Sequence, residues 1–597
     1  MENEMEVIIG IVAPLGTNRK KFIEHVETGF TKRGYHVEII SLTKSMLDIQ
    51  CDNSESFKYY YKMQLCNNIR AEITNGFFAF FSSYIITQKR KELYKKGQRK
   101  IIFIIDQIKN TVECDILNYI YGLNYIQISL FSNEIERDKE LKDKFSRDID
   151  RIKELPTLII DPDKKYEEIF TESLIEKIKS LGTDILSGYA KEVLPDVSHN
   201  LMKKDFEDIH LYKKENKESG QQISKLFHKS HYYFNLDMPQ EKIDSELKKF
   251  IKQLFGTYNL YPTQDEFGMN LAYQSSVRSN FPGGRHIGAA IISTQGEVLS
   301  VASIRAPSKS SNTFLQDELK VTDGYLNYKS KIASWISLLE NLNMYDLCWI
   351  SEAISIDKMK QKTLYLRKTS KKVLYSVIAP SGEKICNKSL STISDSHLIT
   401  AENLDEYRSQ ILKETSEKGH TYSSYQLIQN TDLNEIIKFI GDSLEFHPCT
   451  HAEIAAIIDA AKIGISVKKS TLYTTTFPCH LCAKEIINSG INRVVYLEAY
   501  PKSKNKELYP NVIDFDPKNR TNLIPFDFYH GIGPKRFAYV YSLQNKDNKD
   551  NFPPLIRYQK PKYYREKEKD IHKYVSNRIV NRTDSSLNFL KSLFQDS

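Results

Sequence analysis

Ser470-Thr-Leu-Tyr-Thr-Thr-Thr-Phe-Pro-Cys-His-Leu-Cys482, with His451-Ala-Glu453 upstream, decides how the second half of this chain is built. Ser470 to Thr476 is rich in β-branched residues and has the length of a strand. Pro478 turns the chain, Cys482 to Ser489 continues as a helix, and Gly490 ends it. Arg493 to Glu498 is the next strand, and Ala452 to Ile463 is an apolar-rich helix closed by Gly464. The order is helix, strand, helix, strand, and it brings His451, Cys479 and Cys482 to two helix N-termini.

Those residue types carry a definite chemistry. Two cysteines three apart at a helix start can aim both sulfurs at one ion, and a histidine supplies a third ligand. A catalytic zinc site keeps its fourth position for water, whose pKa the ion lowers. Positive helix ends favour thiolates over thiols. Glu453, two residues after His451, is placed to take a proton and pass it on. His451, Cys479 and Cys482 are therefore the expected metal ligands and Glu453 the expected catalytic residue. The bland alternative is a structural zinc knot, which wants a fourth protein ligand, and Cys449 is near enough in sequence to offer one. Glu453 has no role in such a knot. His480, between the cysteines, reads as a supporting or surface residue.

At 597 residues the chain exceeds one core, so two or three domains are expected. The apolar share of 40% and charged share of 27% are those of a soluble globular protein. No apolar run of about 18 residues occurs, which argues against a membrane span. The acidic start, Met1-Glu-Asn-Glu-Met-Glu6, has the wrong charge for a secretory signal. Eight sparse cysteines argue against a disulfide framework and for a reducing, cytoplasmic setting. The net charge of +8 is compatible with polyanionic ligands but does not require them.

The N-terminal segment alternates strands with helices: strands at Val7 to Val12, His36 to Leu42, Lys100 to Asp106, Asn124 to Phe131 and Thr157 to Asp161. Helices run from Arg19 to Arg33, from Ser56 to Asn75 and on to about Lys95, so a parallel α/β sheet is expected. Gly10 and Gly16 bracket the first strand's turn, with Thr17 where a full phosphate loop has lysine. Asp106 closes a second apolar strand, placed to assist a magnesium ion. A nucleotide with Mg2+ at Gly10, Gly16, Thr17 and Asp106 is the expectation, and a sensor or scaffold fits better than a kinase because the charge-stabilising lysine is missing. The domains read as follows: 1–185, P-loop NTPase/nucleotide kinase-like; 186–260, a helical linker region; 261–545, a zinc-binding domain with an insertion at about 308–447; and 546–597, a basic C-terminal tail. A hairpin is expected around Thr363 to Ile385, turning at Pro380-Ser-Gly382.

On these residues the chain resembles the deoxycytidylate deaminase branch of the zinc deaminases. It is more similar still to the bacterial anti-phage dCTP deaminases, in which a P-loop kinase-like domain precedes the deaminase. The stretches that carry the likeness include Gly10-Ile-Val-Ala-Pro-Leu-Gly-Thr17, Ile104-Ile-Asp-Gln-Ile-Lys109, Gly220-Gln221, Pro262-Thr-Gln-Asp-Glu-Phe-Gly-Met269, Thr474 to Lys484, Tyr500-Pro-Lys-Ser-Lys504 and Gly531-Ile-Gly-Pro-Lys-Arg536. The resemblance implies an α/β fold: an N-terminal P-loop kinase-like parallel sheet plus a C-terminal cytidine deaminase-like α/β/α domain with a long insertion. It implies zinc-dependent hydrolysis of dCTP and dCMP to the deoxyuridine nucleotide and ammonia, draining the dCTP pool against phage. It also implies a homo-oligomer and, in some members, an inhibitory small RNA as partner.

A triphosphate needs cations at the pocket mouth, and Arg278, Arg285, Lys502 and Lys504 are the candidates from their positions near strand ends. Their plain alternative is solvated surface charge. The chain departs from the family at Ile304-Arg-Ala-Pro307, which lacks the sugar-binding asparagine, and at His447-Pro-Cys-Thr450, which lacks a basic residue. Its insertion is also longer. Two rival functions stay open: an RNA- or DNA-editing cytosine or adenine deaminase, and a non-catalytic zinc-stabilised RNA-binding scaffold.

Overall fold

The computed structural model describes residues 5–43, 47–51, 54–72, 74–145, 158–162, 193, 196–206, 219–254, 261–279, 286–305, 346–350, 363–368, 373–378, 384–390, 426–427, 449–499, 503–516, 518, 521–541 and 567. The chain divides into two compact units, one of residues 1–280, 284–304 and 451–597, the other of 281–283 and 305–450.

In the first unit, β1 (Met5–Val12) is the centre of a six-stranded sheet. It pairs in parallel with β4 (Lys100–Asp106) on one side and β5 (Tyr125–Phe131) on the other. Outside these lie β2 (His36–Ser41) and β7 (Tyr232–Asn235), both parallel, and β19 (Gly531–Ile532) runs antiparallel to β7 at the edge. The central strands are apolar without alternation because both faces are covered, as parallel sheets require. Val7, Ile9, Ile11, Ile102, Ile104, Ile126 and Ile128 meet Phe22, Val26 and Phe30 of α1 (Arg19–Thr31) in one cluster, which also takes in Ile532 and Val540. Each such side chain contributes about 1.5–3 kcal/mol on burial.

Two features depart from the expected pattern. Leu158–Pro162 (β6) does form a strand, but it pairs antiparallel with Leu47–Cys51 (β3) in a separate two-stranded ribbon. The region read as helical linker contributes β7 to the main sheet, along with helices α6 (Val197–Phe206), α7 (Ile223–Phe227) and α8 (Gln240–Leu254). The remaining helices of this part are α2 (Glu55–Glu72), α3 (Phe77–Lys95), α4 (Thr111–Tyr121) and α5 (Glu134–Phe145).

The second sheet of this unit runs β17-β18-β16-β15-β8-β9. Its strands are β8 (Gly288–Ile292), β9 (Val298–Ser303), β15 (Thr471–Thr474), β16 (Arg493–Tyr496), β17 (Ile513–Asp514) and β18 (Ile524–Phe528). β15, β16, β18 and β17 are mutually parallel, and β8 is antiparallel to β15 and β9. Helices α9 (Gln264–Ser276), α10 (Ala452–Lys462) and α11 (His480–Asn488) pack with it. The two sheets are joined within this unit: Phe131 stacks on Phe528 with ring centroids 4.0 Å apart, and β19 completes the first sheet.

In the other unit, the strands Thr363–Lys368 (β11) and Val373–Ile378 (β12) form a hairpin. Lys384–Leu390 (β13) and Asp346–Ile350 (β10) extend it into a five-stranded antiparallel sheet with Gln426–Leu427 (β14). The expected turn at Pro380 to Gly382 lies outside the described residues, as does the C-terminal tail apart from Lys567. Among the described residues, no helix is long and apolar enough to cross a membrane.

An ion pair ties α9 to the second sheet. Asp265 accepts two bonds from the Arg493 guanidinium, at 2.7 and 2.9 Å, and one from the Tyr473 hydroxyl at 2.8 Å. Burial alone would raise the Asp265 carboxyl, but Arg493 and Tyr473 outweigh it and hold it below the usual carboxylate range. A depressed folded pKa means stability that is present above the unfolded value, about 3.9, and lost as pH falls through the folded one. Asp265→Asn should therefore cost about 2 kcal/mol at pH 7, with the gap to wild type closing below about pH 4. Urea midpoints across pH check this, and a gap independent of pH contradicts it.

Candidate metal centre

Local geometry sets the centre. His451 is the N-cap of α10 in extended backbone, and Cys479 is the N-cap of α11, its sulfur accepting from the Cys482 backbone N–H at 3.5 Å. Parallel β15 and β16 carry α11 between them as a crossover, so Cys479 and Cys482 come out at the carboxyl end of β15. The Cys479 and Cys482 sulfurs lie 3.4 and 3.3 Å from His451 Nδ1. The three donor atoms lie within 4.8 Å of one another, a group of three among the described residues. An imidazole with two sulfurs suits zinc, and a tetrahedral ion with ordinary bond lengths needs N···S separations of about 3.6 Å. The residues fit the ion.

Glu453, in the first turn of α10, is 3% exposed, and its Oε2 is 3.5 Å from the Cys482 sulfur. Burial raises its carboxyl, with the charge of His451 opposing. The Cys479 thiol is drawn down to about 4, chiefly by the bond from Cys482 and then by His451. Cys482 is pushed up, first by burial and then by its hydrogen bond to Cys479 and the charges of Glu453 and Cys479. Elsewhere burial, the largest cause, pushes Cys66 up to about 11 and Cys114 to about 12, with Glu113 and Asp115 respectively adding to it, as inert buried thiols behave.

The turn before Cys479 is held from three directions that sequence spacing does not reveal. Phe477 N–H donates to the Glu498 carbonyl at 2.7 Å, and Thr476 Oγ1 donates to Glu498 Oε2 at 3.1 Å. Glu498 Oε1 pairs with His228 Nε2 at 2.8 Å, reaching the centre's frame from just past α7. Ser503 Oγ and Asn505 Nδ2 both donate to the Pro478 carbonyl, at 3.0 and 2.9 Å. The loop of Lys504 thus lies on the turn, although Lys504 itself is exposed and pairs with Glu507 at 3.4 Å. Arg278 is exposed just past α9, and Arg285 and Lys502 lie outside the described residues.

The N-terminal residues fall differently. Gly10 lies inside β1, where a Cβ would overlap the Tyr125 hydroxyl, so its smallness serves the sheet. Gly16 has φ +86° and a Cβ there would come within 2.6 Å of the Arg137 carbonyl oxygen. Thr17 is buried beside it, and Asp106 accepts from Arg19 Nε at 2.7 Å.

Residues 406–498, which begin inside the stretch read as insertion, match the model of the cytidine and deoxycytidylate deaminase zinc-binding region. The chain thus carries a zinc-binding region of that class. The deoxycytidylate deaminase of Enterobacteria phage T2 is 50% identical over 54 residues, 9% of this chain and 29% of that protein. The phage T4 enzyme is 50% identical over 54 residues, 9% of this chain and 28% of that one. The deoxycytidylate deaminase of Saccharomyces cerevisiae is 39% identical over 62 residues, 10% and 20% of the two chains. The chain spans less than a third of the length of these relatives. Among solved structures, the dCMP deaminase from cyanophage S-TIM5, in complex with dCMP and dUMP, aligns over 45% of this chain and 100% of its own, at 12% identity and TM-score 0.19.

Proposed function

We propose that this chain is a zinc-dependent hydrolase that deaminates deoxycytidine nucleotides. One observation carries the reading: three metal-type donors converge at two helix N-termini with a buried glutamate beside them. The matched zinc-binding region supports it. In this reading His451, Cys479 and Cys482 hold the ion. When bound, zinc supplies Lewis acidity that brings the pKa of water from 15.7 to about 7. Glu453 takes the proton that water gives up, delivers it to the ring nitrogen of the base, and transfers a further proton to the departing amine. Its burial excludes bulk water, so its protons go to the substrate.

The frame of His228, Glu498, Ser503 and Asn505 fixes the turn that presents Cys479, and in this reading Lys504 exchanges its pairing with Glu507 for the substrate's phosphate. We extend the reading to dCTP as well as dCMP, and to defence against phage by draining the dCTP pool, on the family resemblance of the chain outside its middle insertion and tail. Zinc-replete protein is tested on dCMP, dCTP, CTP, deoxycytidine and a cytosine-containing single strand, with products quantified. Turnover of dCMP or dCTP is the expected result. Turnover of the strand alone moves the protein to the editing class. For the defence role, wild type but not Glu453→Ala should lower cellular dCTP and phage yield.

A further inference from the structure

Doubly wound sheets bind ligands at the carboxyl ends of their strands, where the strand order reverses. Here the chain leaves β1 toward β2 and leaves β4 toward β5, so the crevice lies between the ends of β1 and β4. The segments 13–17 and 106–109 line it. Its surroundings favour an anion: Arg19, Lys109 and Arg137 all reach it, and the loop's backbone leads into α1.

The anion present is the chain's own. Asp205, on the last turn of α6 and 2% exposed, accepts from the Leu15 backbone N–H at 2.6 Å and from Lys109 Nζ at 2.6 Å. Lys109 also donates to the Ala13 carbonyl at 3.0 Å. Arg137 donates to the carbonyls of Leu15 and Ser132, at 3.3 and 3.1 Å, and its charge is favourably coupled to Asp205. Two further polar atoms, Thr17 Oγ1 and Gln221 Oε1, are buried with no hydrogen-bond partner among the described residues, each residue being 4% exposed. Gln221 sits in the segment that docks on the β4 end, where Gln222 N–H donates to the Lys109 carbonyl at 2.8 Å. Gln107, in the same β4 loop, holds φ +83°, a conformation costly for a residue with a Cβ.

We infer that Asp205 stands in for a phosphate group, so that α6 plugs an anion cradle and keeps phosphate-bearing ligands out until it withdraws. Burying a carboxylate is costly unless its partners are in place, and here a backbone N–H and an ammonium supply them. With Asp205 removed, Arg19 and Lys109 keep Asp106 and Arg137 keeps Glu134 and Asp237, but the cradle loses the one carboxylate bonded to Leu15 and Lys109 and so becomes more positive. The device also accounts for Thr17 in the lysine's place: the cation that meets the anion is Lys109, delivered from the end of β4.

The test is titration calorimetry of the full chain with tripolyphosphate and with ATP, in wild type, Asp205→Ala and Asp205→Asn. The asparagine variant keeps the side-chain volume and guards against a folding failure of the alanine variant. Both variants should bind at least about tenfold more tightly than wild type, a difference of about 1.4 kcal/mol. Lys109→Met in the Asp205→Ala protein should cancel the gain. Tripolyphosphate sufficing alone assigns the recognition to phosphate, and binding of ATP only brings in the nucleoside; both support the plug. Wild type binding as tightly as the variants, or no binding by either variant, overturns it.

Discussion

Glu453→Ala is expected to keep its zinc and lose deamination by about 10⁴-fold, the upper range for removing a group that carries protons. The carboxylate sits beside the metal donors without belonging to their group, so its loss leaves His451, Cys479 and Cys482 in place. It is 3% exposed and its Oε2 lies 3.5 Å from the Cys482 sulfur, so its removal takes away the carboxylate seated against the donors. Glu453→Gln, which preserves shape, should fall as far, because an amide cannot take up the proton. Zinc per chain by elemental analysis, with product formation from dCMP, reads both halves. Retained turnover removes Glu453 from the mechanism, and lost zinc makes it a structural support.

Cys482→Ser should lose both the ion and the activity. Cys482 is fully buried, and its sulfur touches both His451 and Glu453. Serine keeps the volume but offers a hydroxyl that does not ionise near neutral pH, so a borderline-soft ion loses one of three protein ligands. Zinc affinity should fall by more than the 10–100-fold that loss of an outer partner typically costs. Cys114→Ser is the control. That thiol is buried and pushed up to about 12, so its replacement should leave zinc content unchanged. Competition with a chromophoric chelator measures both variants. Equal zinc affinity in wild type and Cys482→Ser contradicts the assignment.

The donor group was legible because its information is local. Three residues separate the cysteines, each ligand lies at a helix start, and glycines at 464 and 490 mark where those helices stop. The long apolar strands were equally plain, since a strand covered on both faces needs no alternation to be seen. Short strands were not. β7 has four residues and β19 two, and each becomes a strand only because the other and β5 are there to pair with it. Leu47–Cys51 shows no pattern of its own, and its partner is more than 100 residues away. The supports of the centre are hidden for the same reason: His228 meets Glu498 across 270 residues of sequence, and Asp205 meets Leu15 across 190. Gly10 shows the opposite error, in which a spacing suggests a loop while a neighbouring tyrosine ring explains the glycine.

The most direct test of the central claim is product formation by zinc-replete wild type and Glu453→Ala, side by side, with dCMP and dCTP. The account predicts deoxyuridine nucleotide and an equal amount of ammonia from wild type, and none above background from the variant at equal zinc content. Equal product from both proteins, or none from either with zinc bound, contradicts it.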